Sequence, residues 1–131
     1  MSMPFKLLVF DWDGTLMDSE ARIVTSFNAA MVDMGAAPLP DAVVRGIIGL
    51  ALPEAIQQLV PDADSALQQS VIERYRHHYL YASQIPSQLF PGAADTVWEL
   101  RQQGYLLAVA TGKGRRGLDS VLVETGCADF F

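Results

Sequence analysis

Cysteine is almost absent from the sequence, and basic residues are few. Cys127 is the only cysteine among 131 residues, which excludes an intrachain disulfide and a cysteine-rich zinc site. Nine basic residues stand against fifteen acidic ones, and the formal net charge is −6. This balance argues against nucleic acid and against an anionic membrane surface as partners, whereas a small-molecule ligand remains compatible with it.

Long apolar runs are also missing. None reaches the length that is needed to cross a bilayer, and the short apolar stretch after Lys6 is too brief for the core of a signal peptide. We therefore expect a cytoplasmic protein that does not associate with membranes. Half of the residues are nevertheless hydrophobic and the mean hydropathy is slightly positive, so the composition predicts a globular domain with a substantial core.

The spacing of apolar residues and the positions of Gly and Pro predict the secondary structure. Short apolar runs predict buried strands at residues 7–10 and 105–110. Helical spacing and stop signals predict helices at residues 19–34, 41–48, 54–60, 65–82, 93–103 and 115–125. A right-handed crossover between the two strands would make them parallel, which is typical of an α/β fold.

Two carboxylates follow directly on the first strand. Asp11 and Asp13 lie one residue apart at its carboxyl end, where ligands of open α/β sheets bind. Side chains alternate in extended backbone, so both acids can face one side while Trp12 faces the other. Such a pair can divide nucleophilic and acid–base chemistry. A turn followed by an Asp-Ser helix cap would use the same residue types without any catalytic role.

The string Asp-x-Asp-Gly-Thr-Leu-x-Asp-Ser, residues 11–19, resembles the first signature of the haloacid dehalogenase superfamily of phosphohydrolases. The resemblance implies that Asp11 is the nucleophile that forms an aspartyl-phosphate, and that Asp13 is the general acid and base. It also implies a Mg²⁺ cofactor, held by the side chain of Asp11 and the main-chain carbonyl of Asp13. Trp12, which lies between them, is included among the candidate substrate-binding residues.

The second strand ends at Thr111-Gly112-Lys113, which resembles the second motif of the same superfamily. The resemblance implies that Thr111 and a backbone N–H hold the phosphoryl group, and Gly112 would allow the backbone to approach it closely. Lys113 is a candidate phosphate-binding cation, although an exposed loop lysine is the more ordinary interpretation. Arg45 could meet a substrate carboxylate or phosphate from the helical insertion, and a plain surface arginine is an equally ordinary interpretation.

Two further arginines, Arg115 and Arg116, open the last predicted helix. The dipole of a helix does not favour cations at this end. We nevertheless expect both side chains to face solvent.

The expected fold is a Rossmann-like parallel sheet core with an inserted α-helical cap. Residues 1–17 and 89–131 would form the core, and residues 18–88 the cap with its linker. The cap resembles that of the phosphoglycolate phosphatase and β-phosphoglucomutase branch. Two predicted strands make an incomplete sheet, and residues that match the superfamily's later lysine and acidic motifs are not found. The sequence therefore suggests a C-terminally truncated chain, with self-association through the uncovered sheet edge.

Three functions follow from this resemblance. The first is a Mg²⁺-dependent phosphatase of a small phosphorylated metabolite, with phosphoglycolate as the leading substrate. The second is a phosphomutase that uses the same aspartyl-phosphate and returns the phosphoryl group to a sugar. The third is a non-catalytic fragment that lacks the later motifs.

Overall fold

Parallel strands and a helical insertion make up the computed structural model, which describes residues 4–131. The elements, in chain order, are β1 (Leu7–Phe10), β2 (Met17–Asp18), α1 (Glu20–Asp33), α2 (Asp41–Arg45), α3 (Leu52–Leu59), α4 (Ser65–His77), a π-helical turn (His78–Ala82), β3 (Gln88–Leu89), α5 (Ala93–Gln102), β4 (Leu106–Val109), α6 (Arg115–Thr125) and a 3₁₀ turn (Ala128–Phe130).

The sheet that carries both motifs consists of β1 and β4. The two strands are parallel, as predicted, with Leu7 opposite Leu106 and Phe10 opposite Val109. The backbone N–H of Ala110 donates to the carbonyl of Phe10 at 2.8 Å, which extends the pairing to the last residue of β1. The two chains therefore leave the sheet side by side at their carboxyl ends.

The strands are less buried than the sequence predicts. Leu7 and Val9 on β1 are 51% and 57% exposed, and Leu106 on β4 is 63% exposed. In a strand, alternate residues share a face, so these three side chains lie on one open face of the sheet. The expectation of strands buried on both faces is therefore wrong for this face.

The main core lies in the helical insertion and beneath the first motif. Helices α1 and α4 pack against each other, α3 packs on α4, and α2 on α1. Large side chains that are almost completely buried are Trp12, Met17, Phe27, Val44, Ile56, Val71 and Val121. These residues come from the strand-to-helix loop, from the insertion and from α6, so the insertion and the site share one apolar cluster.

Two elements differ from the predicted helices. Helix α2 ends at Arg45 instead of residue 48, and the turns after it end at Gly49, whose φ of 103° is accessible to glycine. The long helix predicted for residues 65–82 is α-helical only to His77. A π-helical turn follows, in which Ser83 N–H donates to the carbonyl of His78 at 2.7 Å.

A short antiparallel pair was not predicted from the sequence. Strand β2 pairs with β3, with Met17 opposite Leu89 and Asp18 opposite Gln88. The pair joins the two chain segments by which the helical insertion leaves and re-enters the sheet region. Two-residue strands have too few residues to show a period in the sequence. The predicted division into core and cap falls at this pair and stays a prediction.

Among residues 4–131, no helix combines the length and the apolar character that would let it cross a bilayer.

Candidate active site

The parallel strands bring the two sequence motifs together. Lys113 Nζ lies 3.5 Å from Asp13 Oδ2, although the two residues are 100 positions apart in the chain. Both side chains are about nine-tenths buried, with 8% of Lys113 and 10% of Asp13 exposed. The first and second motifs therefore form one site, with a buried charge pair at its centre.

The carboxylate of Asp13 is held by a different donor at each oxygen. Ser19 Oγ donates to Oδ1 at 2.7 Å, and the Lys113 ammonium contacts Oδ2. Ser19 is buried and precedes α1, but its hydroxyl does not cap that helix. The loop between these residues is closed by Gly14, whose N–H donates to the carbonyl of Met17 and whose φ of 81° favours glycine. The arrangement fixes the orientation of the Asp13 carboxylate.

Lys113 has a second partner, Tyr79, in the π-helical turn. Lys113 Nζ donates to the Tyr79 hydroxyl at 2.9 Å and lies 4.0 Å from the centroid of its ring. Tyr79 is only 3% exposed. The backbone N–H of Lys113 also donates to Thr111 Oγ1 at 3.1 Å, which folds the loop after β4. The ammonium is thus held between the first motif and the helical insertion.

Burial shifts the pKa values of Lys113 and Tyr79. It lowers the pKa of Lys113 below its ordinary value of 10.5, although the charge of Asp13 and the hydrogen bond to it oppose the shift. Burial also raises the pKa of Tyr79 above its ordinary value of 10.0, and the negative charge of Asp13 adds to this rise. The phenol therefore remains neutral at physiological pH.

A buried arginine fixes Tyr79 in turn. Arg22 on α1 is 6% exposed and donates to the carbonyl of Tyr79 through Nε at 3.1 Å and Nη2 at 2.6 Å. Its Nη1 contacts Ser87 Oγ at 2.6 Å and Glu124 Oε2 at 3.2 Å. Burial raises the pKa of Glu124, but hydrogen bonds from Ser87 and the Arg22 charge outweigh it and lower that pKa. Arg22 connects the insertion, its linker and α6.

Gly112 marks a close approach between the loop after β4 and the helical insertion. A Cβ atom at Gly112 would lie 2.8 Å from backbone atoms of Gly49, Leu50 and Ala51. A cavity of about 70 Å³ lies beside this contact and is lined by Asp13, Lys113 and apolar side chains of the insertion. Because a water molecule occupies about 30 Å³ in the liquid, this cavity is small, and the insertion covers the site closely.

Two predicted substrate-binding residues do not fit the structure. The Trp12 side chain is completely buried, and its Nε1 donates to Met17 Sδ at 3.3 Å, so the indole faces the core and not a ligand. Arg45 lies on the surface, where Nη1 pairs with Glu20 at 3.4 Å. It does not line the cavity beside Asp13. Both predictions are corrected for this reason.

Asp11 differs from Asp13 in its surroundings. It is exposed, and within residues 4–131 the only hydrogen bond to its carboxylate comes from the N–H of Trp12 at 2.8 Å. The described residues include no group of three or more His, Cys, Asp or Glu side chains that could hold a metal. Mg²⁺ needs fewer protein ligands, since one or two carboxylates, water and substrate phosphate often complete its shell. The oxygen donors of Asp11 and Asp13 fit this requirement.

Ser19 and Tyr79 were not predicted as site residues. Ser19 belongs to the first motif, but an Asp-Ser pair before a helix is an ordinary cap signal. Tyr79 lies on an apolar stripe with Tyr75, which is typical of helix packing. Only the position of the π-helical turn brings its hydroxyl to Lys113, and we find no signal for that turn in the sequence.

Comparison with known proteins identifies the family of the chain. A family model described as haloacid dehalogenase-like hydrolase matches residues 8–131. The chain belongs to the haloacid dehalogenase-like hydrolases. It is 31% identical over 136 residues to a plasmid-encoded phosphoglycolate phosphatase of Cupriavidus necator, covering 99% of this chain and 58% of that relative. It is also 31% identical over 140 residues to a phosphoglycolate phosphatase of Haemophilus influenzae, covering 100% and 62%.

Solved structures of other haloacid dehalogenase-like proteins agree with the fold. The crystal structure of a predicted phosphoglycolate phosphatase from Haemophilus somnus has a TM-score of 0.88 and 27% sequence identity. The alignment covers 97% of this chain and 60% of that one. The chain thus spans about 60% of the length of these relatives. The findings thus show the family and the fold, and the relatives that match are phosphatases by name.

Proposed function

We propose that the site hydrolyses a small phosphomonoester, with phosphoglycolate as the leading substrate, in a Mg²⁺-dependent reaction. One observation carries the proposal, namely the contact of 3.5 Å between Asp13 and Lys113, which joins the two motifs. The relatives named phosphoglycolate phosphatase support the choice of substrate. The exposed carboxylate of Asp11, two residues before Asp13, is available for the nucleophilic role.

In the proposed reaction, Asp11 attacks phosphorus and the leaving alkoxide receives the proton of the Asp13 carboxyl group. The bond between phosphorus and the leaving oxygen breaks as the aspartyl-phosphate forms. Asp13 then accepts a proton from water, which attacks phosphorus, and Asp11 and inorganic phosphate are released. Bound Mg²⁺ would offset the repulsion between the carboxylate and the phosphate dianion.

The protein's own groups prepare these steps. Ser19 and Lys113 orient Asp13, and Lys113 supplies positive charge beside the incoming phosphate. Thr111 and the backbone of Gly112 follow β4 at the same edge of the sheet, where they can hold phosphate oxygens. The close cover over Gly112 limits access of water and favours substrates that fit beneath the insertion.

The test is hydrolysis of p-nitrophenyl phosphate with and without Mg²⁺. We expect metal-dependent release of nitrophenol and inorganic phosphate by the wild-type chain, and its loss in Asp11→Asn. Asp95→Asn, on the exposed part of α5, is the matched control and should retain activity. Direct assay of inorganic phosphate distinguishes hydrolysis from transfer to a second acceptor.

Two results would contradict the proposal. One is the absence of turnover by a wild-type chain that is shown to be folded, since this would support a non-catalytic role. The other is turnover that persists in Asp11→Asn, since the nucleophile would then lie elsewhere.

A further inference from the structure

The phenol of Tyr79 is the closer of two oxygen partners of the Lys113 ammonium. Lys113 Nζ lies 2.9 Å from the Tyr79 hydroxyl oxygen and 3.5 Å from Asp13 Oδ2. A direct hydrogen bond from an ammonium to a carboxylate usually measures about 2.7–2.9 Å, so the ion pair with Asp13 is not fully closed. The ammonium is thus held next to the acid at more than hydrogen-bond length.

Tyr79 also replaces the water that burial removes from Lys113. Only 8% of the Lys113 side chain and 3% of Tyr79 are exposed. Besides accepting the hydrogen bond, Tyr79 places the centroid of its ring 4.0 Å from the ammonium, which is within the range of a cation–π interaction. Among residues 4–131, Asp13 is the only carboxylate that pairs with Lys113. Because a buried ammonium needs polar partners, the phenol is the uncharged partner that keeps Lys113 from depending on Asp13 alone.

The π-helical turn explains how Tyr79 is held in this position. In an α-helix, the N–H of Ser83 would donate to the carbonyl four residues earlier, which is that of Tyr79. In this turn it donates instead to the carbonyl of His78, at 2.7 Å. The carbonyl of Tyr79 can therefore accept both hydrogen bonds from Arg22, at 3.1 and 2.6 Å. The irregular turn thus exchanges a helix hydrogen bond for a clamp on Tyr79, and such π-helical turns are frequent at functional sites.

Arg22 also connects Tyr79 to the helix that follows Lys113. Its Nη1 lies 3.2 Å from Oε2 of Glu124, which belongs to α6. The ring of Tyr79 is placed from the other direction by Tyr75, with 5.8 Å between the two centroids. Tyr79 is therefore fixed relative to both the insertion and the loop after β4, as a side chain that orients another group must be.

We propose that Tyr79 is a positioning residue, which holds the Lys113 ammonium back from full pairing with Asp13 so that it can bind the phosphoryl group. The proposal rests on the proposed function, because it assumes that the phosphoryl group lies beside Asp11 and Asp13. Tyr79 acts only through Lys113 and takes no part in the chemical step. Without its hydroxyl, the ammonium would close on the Asp13 carboxylate and offer less of its charge to phosphate.

Steady-state kinetics with p-nitrophenyl phosphate measure this effect. Tyr79→Phe keeps the ring and removes only the hydroxyl. We expect KM to rise about tenfold, the loss typical of one hydrogen bond to a charged group, and kcat to change less than about twofold, because the ammonium binds the phosphoryl group before and during the reaction. The matched control is Tyr81→Phe, the same change in the same π-helical turn on a residue that is 63% exposed, and it should leave both constants unchanged.

A measurement on the ammonium itself is independent of turnover. Lys6 and Lys113 are the only lysines in the chain, and Lys6 is exposed, so labelling lysine with ¹⁵N makes the Lys113 ammonium easy to identify by nuclear magnetic resonance. In the wild-type chain, we expect its protons to exchange slowly with water and to show a nuclear Overhauser effect to the Tyr79 ring. Its resonance should shift in Tyr79→Phe and stay unchanged in Tyr81→Phe. Circular dichroism verifies that each variant is folded.

The outcomes separate this inference from the proposed function. If turnover depends on Asp11 but Tyr79→Phe changes neither KM nor the Lys113 resonance, the positioning role is overturned and the proposed function stands. A lower kcat at unchanged KM would also overturn it, since such a change indicates a general structural role. So would a Lys113 ammonium in the wild-type chain that exchanges as fast as that of Lys6, whatever the variants do.

One result would contradict the proposed function alone. Calorimetry measures the affinity for propyl phosphate in the Asp11→Asn background, where the proposed nucleophile is absent. If Tyr79→Phe weakens this affinity about tenfold and shifts the Lys113 resonance, but the wild-type chain hydrolyses no phosphomonoester, Tyr79 positions Lys113 for phosphate binding without hydrolysis.

Discussion

At the residue scale, Tyr79 holds its proton because its phenol is buried and lies near the negative charge of Asp13. Its pKa is raised above 10.0 by burial, and that of Tyr75 is raised by the same cause. The unfolded chain releases these protons near pH 10, whereas the folded chain retains them. The contribution of these groups to stability is therefore complete below pH 10 and is lost as the pH rises through their folded pKa values.

Tyrosinate absorbance measures this effect. At the pH where free tyrosine ionises, the folded protein should show less tyrosinate absorbance than the unfolded chain. Tyr79→Phe should reduce the difference in tyrosinate absorbance between the folded and the unfolded chain, and weaken the loss of stability above pH 10. Tyr81→Phe removes the hydroxyl of a residue that is 63% exposed and should leave this difference in absorbance unchanged. Full ionisation of the folded wild-type chain at pH 10 would contradict the burial of Tyr79.

At the scale of elements, the loop after β4 and the loop before α3 meet at Gly112. In Gly112→Ala, the new methyl group would meet backbone atoms at 2.8 Å, and backbone cannot move as easily as a side-chain end. We expect a loss of about 1–3 kcal/mol in the free energy of unfolding, and weaker binding of propyl phosphate.

Urea denaturation and calorimetry measure the two effects of Gly112→Ala. The matched control is Gly114→Ala, because a Cβ at Gly114 meets no atom within 4 Å and its φ of −64° suits alanine. That change should cost less than about 1 kcal/mol, as expected for a helix N-cap. If Gly112→Ala and Gly114→Ala have equal stability and equal affinity for propyl phosphate, the insertion does not pack closely against the loop at Gly112.

At the scale of the whole molecule, the sheet has an open apolar face. Leu7, Val9 and Leu106 are each more than half exposed, and the described sheet contains only β1 and β4. Unpaired strand edges and exposed apolar faces favour association with another chain. We therefore expect this chain to self-associate through the sheet as its concentration rises.

Analytical ultracentrifugation over a range of concentrations measures this association. Val9→Lys should weaken it, because the charged side chain would be buried between copies. Val32→Lys changes a residue on α1 that is equally exposed, at 56%, and should have little effect. A monomer at every concentration would contradict the prediction.

The sequence predicts the parts of this molecule that depend on local patterns. Asp11, Asp13, Thr111 and Lys113 follow apolar strands, and parallel pairing is sufficient to bring the strand ends together. Arg45 could not be placed in this way, because its pairing with Glu20 depends on how α2 crosses α1. The Mg²⁺ cofactor and the cytoplasmic location stay predictions.

Contacts that depend on exact register could not be predicted. A regular α-helix has about 3.6 residues per turn, and the π-helical turn at His78–Ala82 interrupts this period. The position of the Tyr79 hydroxyl depends on that interruption. The same holds for Ser19, whose hydroxyl could cap α1 or reach Asp13, and only the closed loop at Gly14 selects the second partner.

The separation of 100 residues between Asp13 and Lys113 also determines when the site can form during folding. Closing so long a loop in a disordered chain is entropically costly, and contacts of this kind slow folding. Helices α1 to α4 are synthesised before β4 and can shorten the loop by folding first. The contact between Asp13 and Lys113 therefore forms only when β4 docks beside β1, so an unfinished or partly folded chain has Asp11 and Asp13 in place without the lysine.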